Sequence, residues 1–218
     1  SQVSANQTAG FSIVSYTGNG TAGANVGHGL LKAPELMIHK SRDQSRNWYT
    51  ITTAVDGSPD YLYFNLANGA LDSAVTAPTD NLMYFTSSAE SNTLNEDYIA
   101  YMWHSVENYS KFGSYLADGN SDGPFAYCGF KPAWVLIKKT NGSGDENWRL
   151  FDSSRCPTNQ NNKHLLPSSS SAESTETGMD FLSNGFKLRH ADAHQNQNGT
   201  TYIFMAFAES PFQTANAK

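Results

Sequence analysis

The chain repeats itself once, and an internal repeat limits the fold to two like units, each able to bury its own apolar surface. Ser15-Tyr16 precedes the Gly-rich turn Thr17-Gly18-Asn19-Gly20, and Ser114-Tyr115 precedes Leu116-Ala117-Asp118-Gly119-Asn120. Pro34-Glu35-Leu36-Met37-Ile38-His39-Lys40 matches Pro132-Ala133-Trp134-Val135-Leu136-Ile137-Lys138, with proline and lysine equally spaced. Asn47-Trp48-Tyr49 matches Asn147-Trp148-Arg149, and Phe64-Asn65-Leu66-Ala67-Asn68-Gly69 matches Phe181-Leu182-Ser183-Asn184-Gly185. Asp97-Tyr98-Ile99-Ala100-Tyr101-Met102-Trp103 closes the series against Thr201-Tyr202-Ile203-Phe204-Met205-Ala206-Phe207. These matches divide the 218 residues into a first repeat over 11–110 and a second over 111–218. Residues 1–10 are polar and small, and read as a linker or an exchanged strand.

Each matched block is short, rich in β-branched, aromatic or large apolar residues, and bounded by Gly, Pro, Asn or Asp, which is strand chemistry. No stretch carries a sustained helical stripe, although residues 89–97 have room for one helical turn. The expected fold is all-β: duplicated β-sandwich or jelly-roll-like units, two repeats of about 100 residues. Two segments read as exposed loops, one over residues 141–146 and one over 156–177, the latter taken as an insertion in the second repeat. Trp48 and Trp148 hold equivalent positions and are expected in both cores, with Trp103 exchanged for Phe207.

Charge narrows the partners. Acidic residues outnumber basic ones 20 to 14, a net charge of −6. A phosphate backbone needs a basic face. The clusters Lys138-Lys139 and Lys187 to Arg189 lie in or beside strands, so they read as solvated strand faces and nucleic acid is not an expected partner. No apolar run approaches the roughly 20 residues of a membrane helix, so no membrane insertion is expected. The absence of an initiator Met suggests a processed chain or a piece of a longer one. Two cysteines, Cys128 and Cys156, are compatible with one bridge, but separate thiols are the simpler reading.

Motifs for chemistry lack their structural setting. Gly119-Asn120-Ser121-Asp122-Gly123 fits a nucleophile elbow, but Pro124-Phe125-Ala126-Tyr127 does not open a helix. Gly18-Asn19-Gly20-Thr21-Ala22-Gly23 fits a dinucleotide fingerprint, and again no helix follows. Both strings occupy the same turn of the repeat. No catalytic residue is assigned, no enzyme activity is expected and no cofactor is implied. Asp118, Asn120 and Asp122 resemble the first half of a calcium loop whose closing carboxylate is missing, since Gly129 stands there, so the metal expectation is none beyond that weak site. His190 and His194 flank Asp192, but on no predicted helix. Tyr49, Tyr61, Tyr127 and Trp134 have no aromatic counterpart in the other repeat and are the candidate ligand-binding residues, because aromatic rings stack on sugars.

Gly10-Phe11-Ser12-Ile13-Val14-Ser15-Tyr16-Thr17-Gly18-Asn19-Gly20, His28-Gly29-Leu30 and Lys111-Phe112-Gly113-Ser114-Tyr115 carry a family resemblance. So do Gly129-Phe130-Lys131-Pro132-Ala133-Trp134-Val135, Asn147-Trp148-Arg149-Leu150-Phe151-Asp152 and the ending Met205-Ala206-Phe207-Ala208-Glu209-Ser210-Pro211-Phe212. The chain resembles an uncharacterised β-rich domain of phage virion and tail-fibre proteins, notably of marine phages and metagenomic sequences. The resemblance implies a non-catalytic virion or extracellular structural module, self-associating as a homo-oligomer, with recognition of a cell-surface glycan as its further expected role. The alternatives are a subunit of an extracellular bacterial filament assembling by strand donation from residues 1–10, and a monomeric carbohydrate-binding domain.

Overall fold

The computed structural model describes residues 1–142 and 147–210, with the backbone alone at 176 and 177. Apart from one helical turn, all its regular structure is β. The chain divides into two compact units, the first holding Ser1–Asn65 and Ala70–Ser105, the second Leu66–Gly69 and the residues from Val106 onward.

The first unit carries β1 (Gln2–Asn6), β2 (Phe11–Thr17), β3 (Asn25–Gly27), β4 (Leu36–Ser41), β5 (Tyr49–Thr52), β6 (Asp60–Tyr63), β7 (Leu71–Asp72), β8 (Leu82–Tyr84) and β9 (Asp97–Trp103). Seven strands form one sheet in the order β1-β2-β9-β4-β5-β6-β7, and β3 pairs with β8 in a small second sheet. The side-chain period of 2 along a strand sorts residues onto faces. Val14 and Tyr16 on β2, Met37 on β4, and Tyr98, Ala100 and Met102 on β9 therefore share one buried face, packed with Met83 and Phe85. Each fully buried side chain of that size contributes roughly 1.5–3 kcal/mol. Residues 1–10 are not a free linker here: β1 pairs antiparallel with β2, Val3 opposite Val14, while all five of its residues stay exposed.

The second unit carries β10 (Ser110–Leu116), β11 (Phe125–Tyr127), β12 (Pro132–Lys139), β13 (Arg149–Asp152), β14 (Asn161–His164), β15 (Ser174–Leu182), β16 (Gly185–Leu188), α1 (Ala193–Asn196) and β17 (Thr201–Ala208). Its sheets run β10-β17-β12-β13 and β11-β16-β15-β14, and Tyr115, Val135, Ile137, Phe151, Phe181, Phe186 and Phe204 belong to the cluster buried between them. The order β10-β17-β12-β13 repeats the roles of β2-β9-β4-β5. Tyr16 stacks on Tyr98 at 5.4 Å and Tyr115 on Tyr202 at 5.2 Å. Tyr98 Oη donates to the Ala89 carbonyl at 2.7 Å and Tyr202 Oη to that of Ala193 at 2.6 Å. Buried Asn92 and Asn196 tie the two turns, donating to the carbonyls of Thr21 and Asn120.

Several expectations are corrected. Residues 156–177 are not one loop: β14 and the start of β15 lie there. The polar string Asn161-Asn162-Lys163-His164 makes a strand because its ends, Asn161 and His164, turn inward and are both 1% exposed. The helical turn falls on residues 193–196 and not on 89–97, because the Asp192 side chain accepts from the His194 backbone N–H and caps it. Lys138 and Lys139 are buried and not a solvated face, and Lys138 Nζ donates to the Ala67 carbonyl at 3.2 Å. Trp148 is 2% exposed but Trp48 is 36% exposed, stacked on Tyr101 at 6.4 Å instead of entering the core. Trp103 and Phe207 are half-buried and belong to neither core cluster. Of the block matches, Phe64 to Gly69 does not answer to Phe181 to Gly185. The latter turns the β15–β16 hairpin, whereas Asn65 Oδ1 accepts the Trp48 backbone N–H, a role that Ser168 Oγ plays for Trp148. Of the loop expected over 141–146, residues 143–146 lie outside the described residues.

Candidate functional site

In the first unit, β5 and β6 set Tyr49 opposite Tyr63 and Ile51 opposite Tyr61. The period of the strand then puts Tyr61 and Tyr63 on the face that Tyr49 shares. Ring centroids lie 5.5 Å apart for Tyr49 and Tyr61, 6.0 Å for Tyr49 and Tyr63, and 6.0 Å for Tyr61 and Tyr63, within the usual range of aromatic pairs. These rings line a cavity of about 330 Å³, completed by Asp72 at the end of the short strand β7, by Ser73 just after it, and by Ala74, Thr86 and Ser88. Serine turns hold the rim: Ser73 Oγ accepts from the Val75 N–H, and Ser88 Oγ from the Glu90 N–H. Behind the rim, the Glu90 carboxylate accepts the backbone N–H of Asn47 at 2.9 Å and its side-chain amide at 3.3 Å.

The electrostatics keep the Tyr49 and Tyr63 phenols neutral. Burial pushes the Tyr49 phenol up to about 12, and burial followed by the Glu90 charge raises Tyr63. A neutral phenol keeps its O–H as a donor. The cleft thus offers three apolar ring surfaces, phenolic hydroxyls, serine and threonine hydroxyls and the Asp72 carboxylate. That combination fits a ligand with both apolar C–H faces and many hydroxyls.

The structure brings together Tyr49 and Tyr61 of the residues singled out from sequence. Tyr49 is the floor, 5% exposed, and Tyr61 a half-buried wall. Tyr63 completes the set; its signal in the sequence was the alternation Asp60-Tyr61-Leu62-Tyr63. Tyr127 and Trp134 belong to the second unit. Tyr127 is 64% exposed and lines a groove with β10, whereas Trp134 packs edge-on against Phe207 and does not line that groove.

The remaining motifs are turns and ion pairs. Asp118 Oδ1 accepts from the Asn120 backbone N–H, and Asp122 pairs with Lys187 at 3.3 Å and with Arg189, which also binds Asp180. Those carboxylates already have cationic or amide partners. Among the described residues no three His, Cys, Asp or Glu side chains are grouped to hold a metal ion. Gly20 and Gly23, like Gly119, take positive φ, as turns require and a helix N-terminus does not. Cys128 and Cys156 are separate free thiols, and burial pushes the Cys128 thiol up to about 12.

A family model described as a domain of unknown function, DUF7483, matches residues 1–211. The chain belongs to the DUF7483 family. No curated protein and no solved structure matches it. The family match covers both units and the cleft, so the tyrosine site lies inside the family domain. Among the described residues no helix is long and apolar enough to cross a membrane.

Proposed function

We propose that this DUF7483 chain is a non-catalytic structural module of a virion fibre or comparable extracellular assembly, and that it holds a surface glycan in the Tyr49–Tyr61–Tyr63 cleft. The carrying observation is the convergence of three tyrosine rings with Asp72, Ser73 and Ser88 around one cavity of about 330 Å³. Sugar C–H faces stack on aromatic rings, and sugar hydroxyls exchange hydrogen bonds with carboxylate and hydroxyl groups. The resemblance to phage virion and tail-fibre domains supports the virion setting. The cavity lining supplies one carboxylate, Asp72, whereas glycoside hydrolysis normally uses a facing pair. That favours binding over cleavage.

The test is a glycan array followed by calorimetry on the best hit. Tyr61→Ala is expected to weaken binding about tenfold or more, which is about 1.4 kcal/mol, with a stability loss of about 1 kcal/mol because the half-buried ring also packs against Tyr49, Tyr63 and the core. Failure of every glycan to bind, or equal affinity of wild type and Tyr61→Ala, would overturn the reading. A second reading, a filament subunit that donates a strand, is favoured by one observation: β1 is exposed along its whole length at the edge of its sheet.

A further inference from the structure

A strand at the edge of a sheet presents N–H and C=O groups that another strand can pair with, and folds defend such edges by shortness, charge, proline or a bulge. Most edges of this chain are defended. β7 has two residues and β11 three. β14 carries Lys163 and a break of register against β15. A bridge from Leu165 meets β13. On β10, which carries Lys111, both main-chain groups of Ser110 are bonded to Val106. β1 has no such defence. Gln2-Val3-Ser4-Ala5-Asn6 is five residues long, uncharged, free of proline and in unbroken register with β2.

The ladder of β2 tells which groups of β1 are open. The Gly10 carbonyl accepts from the His104 N–H, and the Gly18 N–H donates to the Glu96 carbonyl. Main-chain bonds alternate along an antiparallel pair, so the even-numbered residues of β2 bond to β9. Phe11, Ile13 and Ser15 therefore turn to β1, where they stand opposite Asn6, Ser4 and Gln2. Val3 and Ala5 lie between those pairs. Their N–H and C=O groups point away from β2, and among the described residues no hydrogen bond reaches them. Gly29 lies against the Val3 and Ala5 side chains within the unit, yet Val3 stays 46% exposed.

We propose that β1 is a two-fold interface: it stays on β2 and pairs antiparallel with β1 of a second copy of this chain. The strand suits itself because its chemistry reads the same from both ends: amide, apolar, serine, apolar, amide. With Ser4 on the axis, Val3 exchanges two main-chain bonds with the partner's Ala5, and Ala5 two with the partner's Val3. Every open group of Val3 and Ala5 is then satisfied, and on one face each valine meets the smaller alanine. Ser4 faces the partner's Ser4 at a closely spaced position of the ladder, Cα atoms roughly 4.5 Å apart, where two small side chains fit. The two seven-stranded sheets join edge to edge. The contact is isologous, so assembly closes at two copies. Five residues from each copy make a small interface, so dimer and monomer exchange with concentration.

Sedimentation of the full chain over a concentration series is expected to show 23.8 kDa going over to twice that mass and no further. Val3→Pro removes an N–H that the dimer uses once in each copy. A solvent-facing edge position tolerates proline, so the unfolding midpoint should stay near that of the wild type while the dimer is lost. Ser4→Lys sets like charges opposite each other on the axis and should weaken dimerisation about fivefold or more. Ser4→Glu should do the same, and mixing the two variants should restore the dimer, which a general defect of folding would not allow. A wild type that stays monomeric throughout overturns the proposal. So do masses beyond the dimer, dimers of Val3→Pro, or a mixture no tighter than its parts. No glycan enters these measurements, so failure here and failure of the cleft reading are told apart.

Discussion

Tyr202→Ala should destabilise the second unit by about 4 kcal/mol or more, the cost of emptying a large aromatic site in a packed core. Tyr202 is 0% exposed and stacks on Tyr115 with the planes only 5° apart. Its hydroxyl donates to the Ala193 carbonyl at 2.6 Å and accepts the Gln197 N–H at 3.1 Å, fastening both ends of the short helix α1. The substitution therefore removes the ring contacts together with both hydrogen bonds, which go to main-chain groups of residues that are themselves exposed. Tyr202→Phe keeps the ring and loses only the hydroxyl, so it should cost about 1–2 kcal/mol. For a unit of this size the alanine variant should melt roughly 15 °C lower or more, read by calorimetry as an early transition of one unit. Tyr98→Ala should do the same to the first unit. An alanine variant no worse than the phenylalanine variant would show that the hydroxyl, and not the stack, holds the turn.

This stacked pair also shows why part of the fold was legible in the sequence. Ser15-Tyr16 and Ser114-Tyr115 match, as do Tyr98 and Tyr202, because each pair of strands needs the same buried rings at the same register. Likewise Leu36 to Lys40 and Trp134 to Lys138 match because both run beside the last strand of their unit. Strands with alternating or continuous apolar character declare themselves locally. What failed depends on distant partners. Nothing near Trp48 or Trp148 in the chain says which will be buried. Phe64 to Gly69 looked like Phe181 to Gly185 because phenylalanine, asparagine and glycine suit any turn. Residues 156–177 looked like a loop because their strands are polar, and only the pairing of β14 with β15 and a bridge from Leu165 to Leu150 make them part of a sheet. The cleft was half visible: the copy-specific tyrosines Tyr49 and Tyr61 pointed to it, but Asp72 and Ser88 arrive from segments whose placement only the fold provides.

Two buried groups near those strands should give the first unit a pH profile made of opposing parts. His39, 1% exposed among Tyr16, Tyr49 and Phe85, has its imidazole lowered to about 4 by burial. Tyr16 gives its only proton to the Ser91 carbonyl at 2.8 Å, so His39 Nδ1–H donates to Tyr16 Oη at 3.1 Å. Nε2 has no hydrogen-bond partner among the described residues. Between pH 6.5 and about 4 the unfolded chain binds a proton there that the folded chain refuses. Stability from this site is thus complete above pH 6.5 and falls by about 3 kcal/mol on acidification. Asp60 acts in the opposite sense. Burial raises its carboxyl to about 6, helped by the Asp56 and Asp72 charges, and Oδ2 has no partner among the described residues. Between pH 6 and about 4 the folded chain binds the proton and the unfolded chain does not, so acidification adds about 2–3 kcal/mol. The two contributions nearly cancel, and wild-type stability should change little over that range from these sites. Asp60→Asn removes the second alone. It should be more stable than wild type by about 2 kcal/mol at pH 7, and lose about 3 kcal/mol between pH 6.5 and 4. His39→Phe should show the reverse slope, gaining stability as the pH falls. Urea unfolding at a series of pH values measures both. If Asp60→Asn keeps the wild-type slope, the Asp60 carboxylate is solvated in the folded chain, and the acid sensitivity of the unit belongs to His39 by itself.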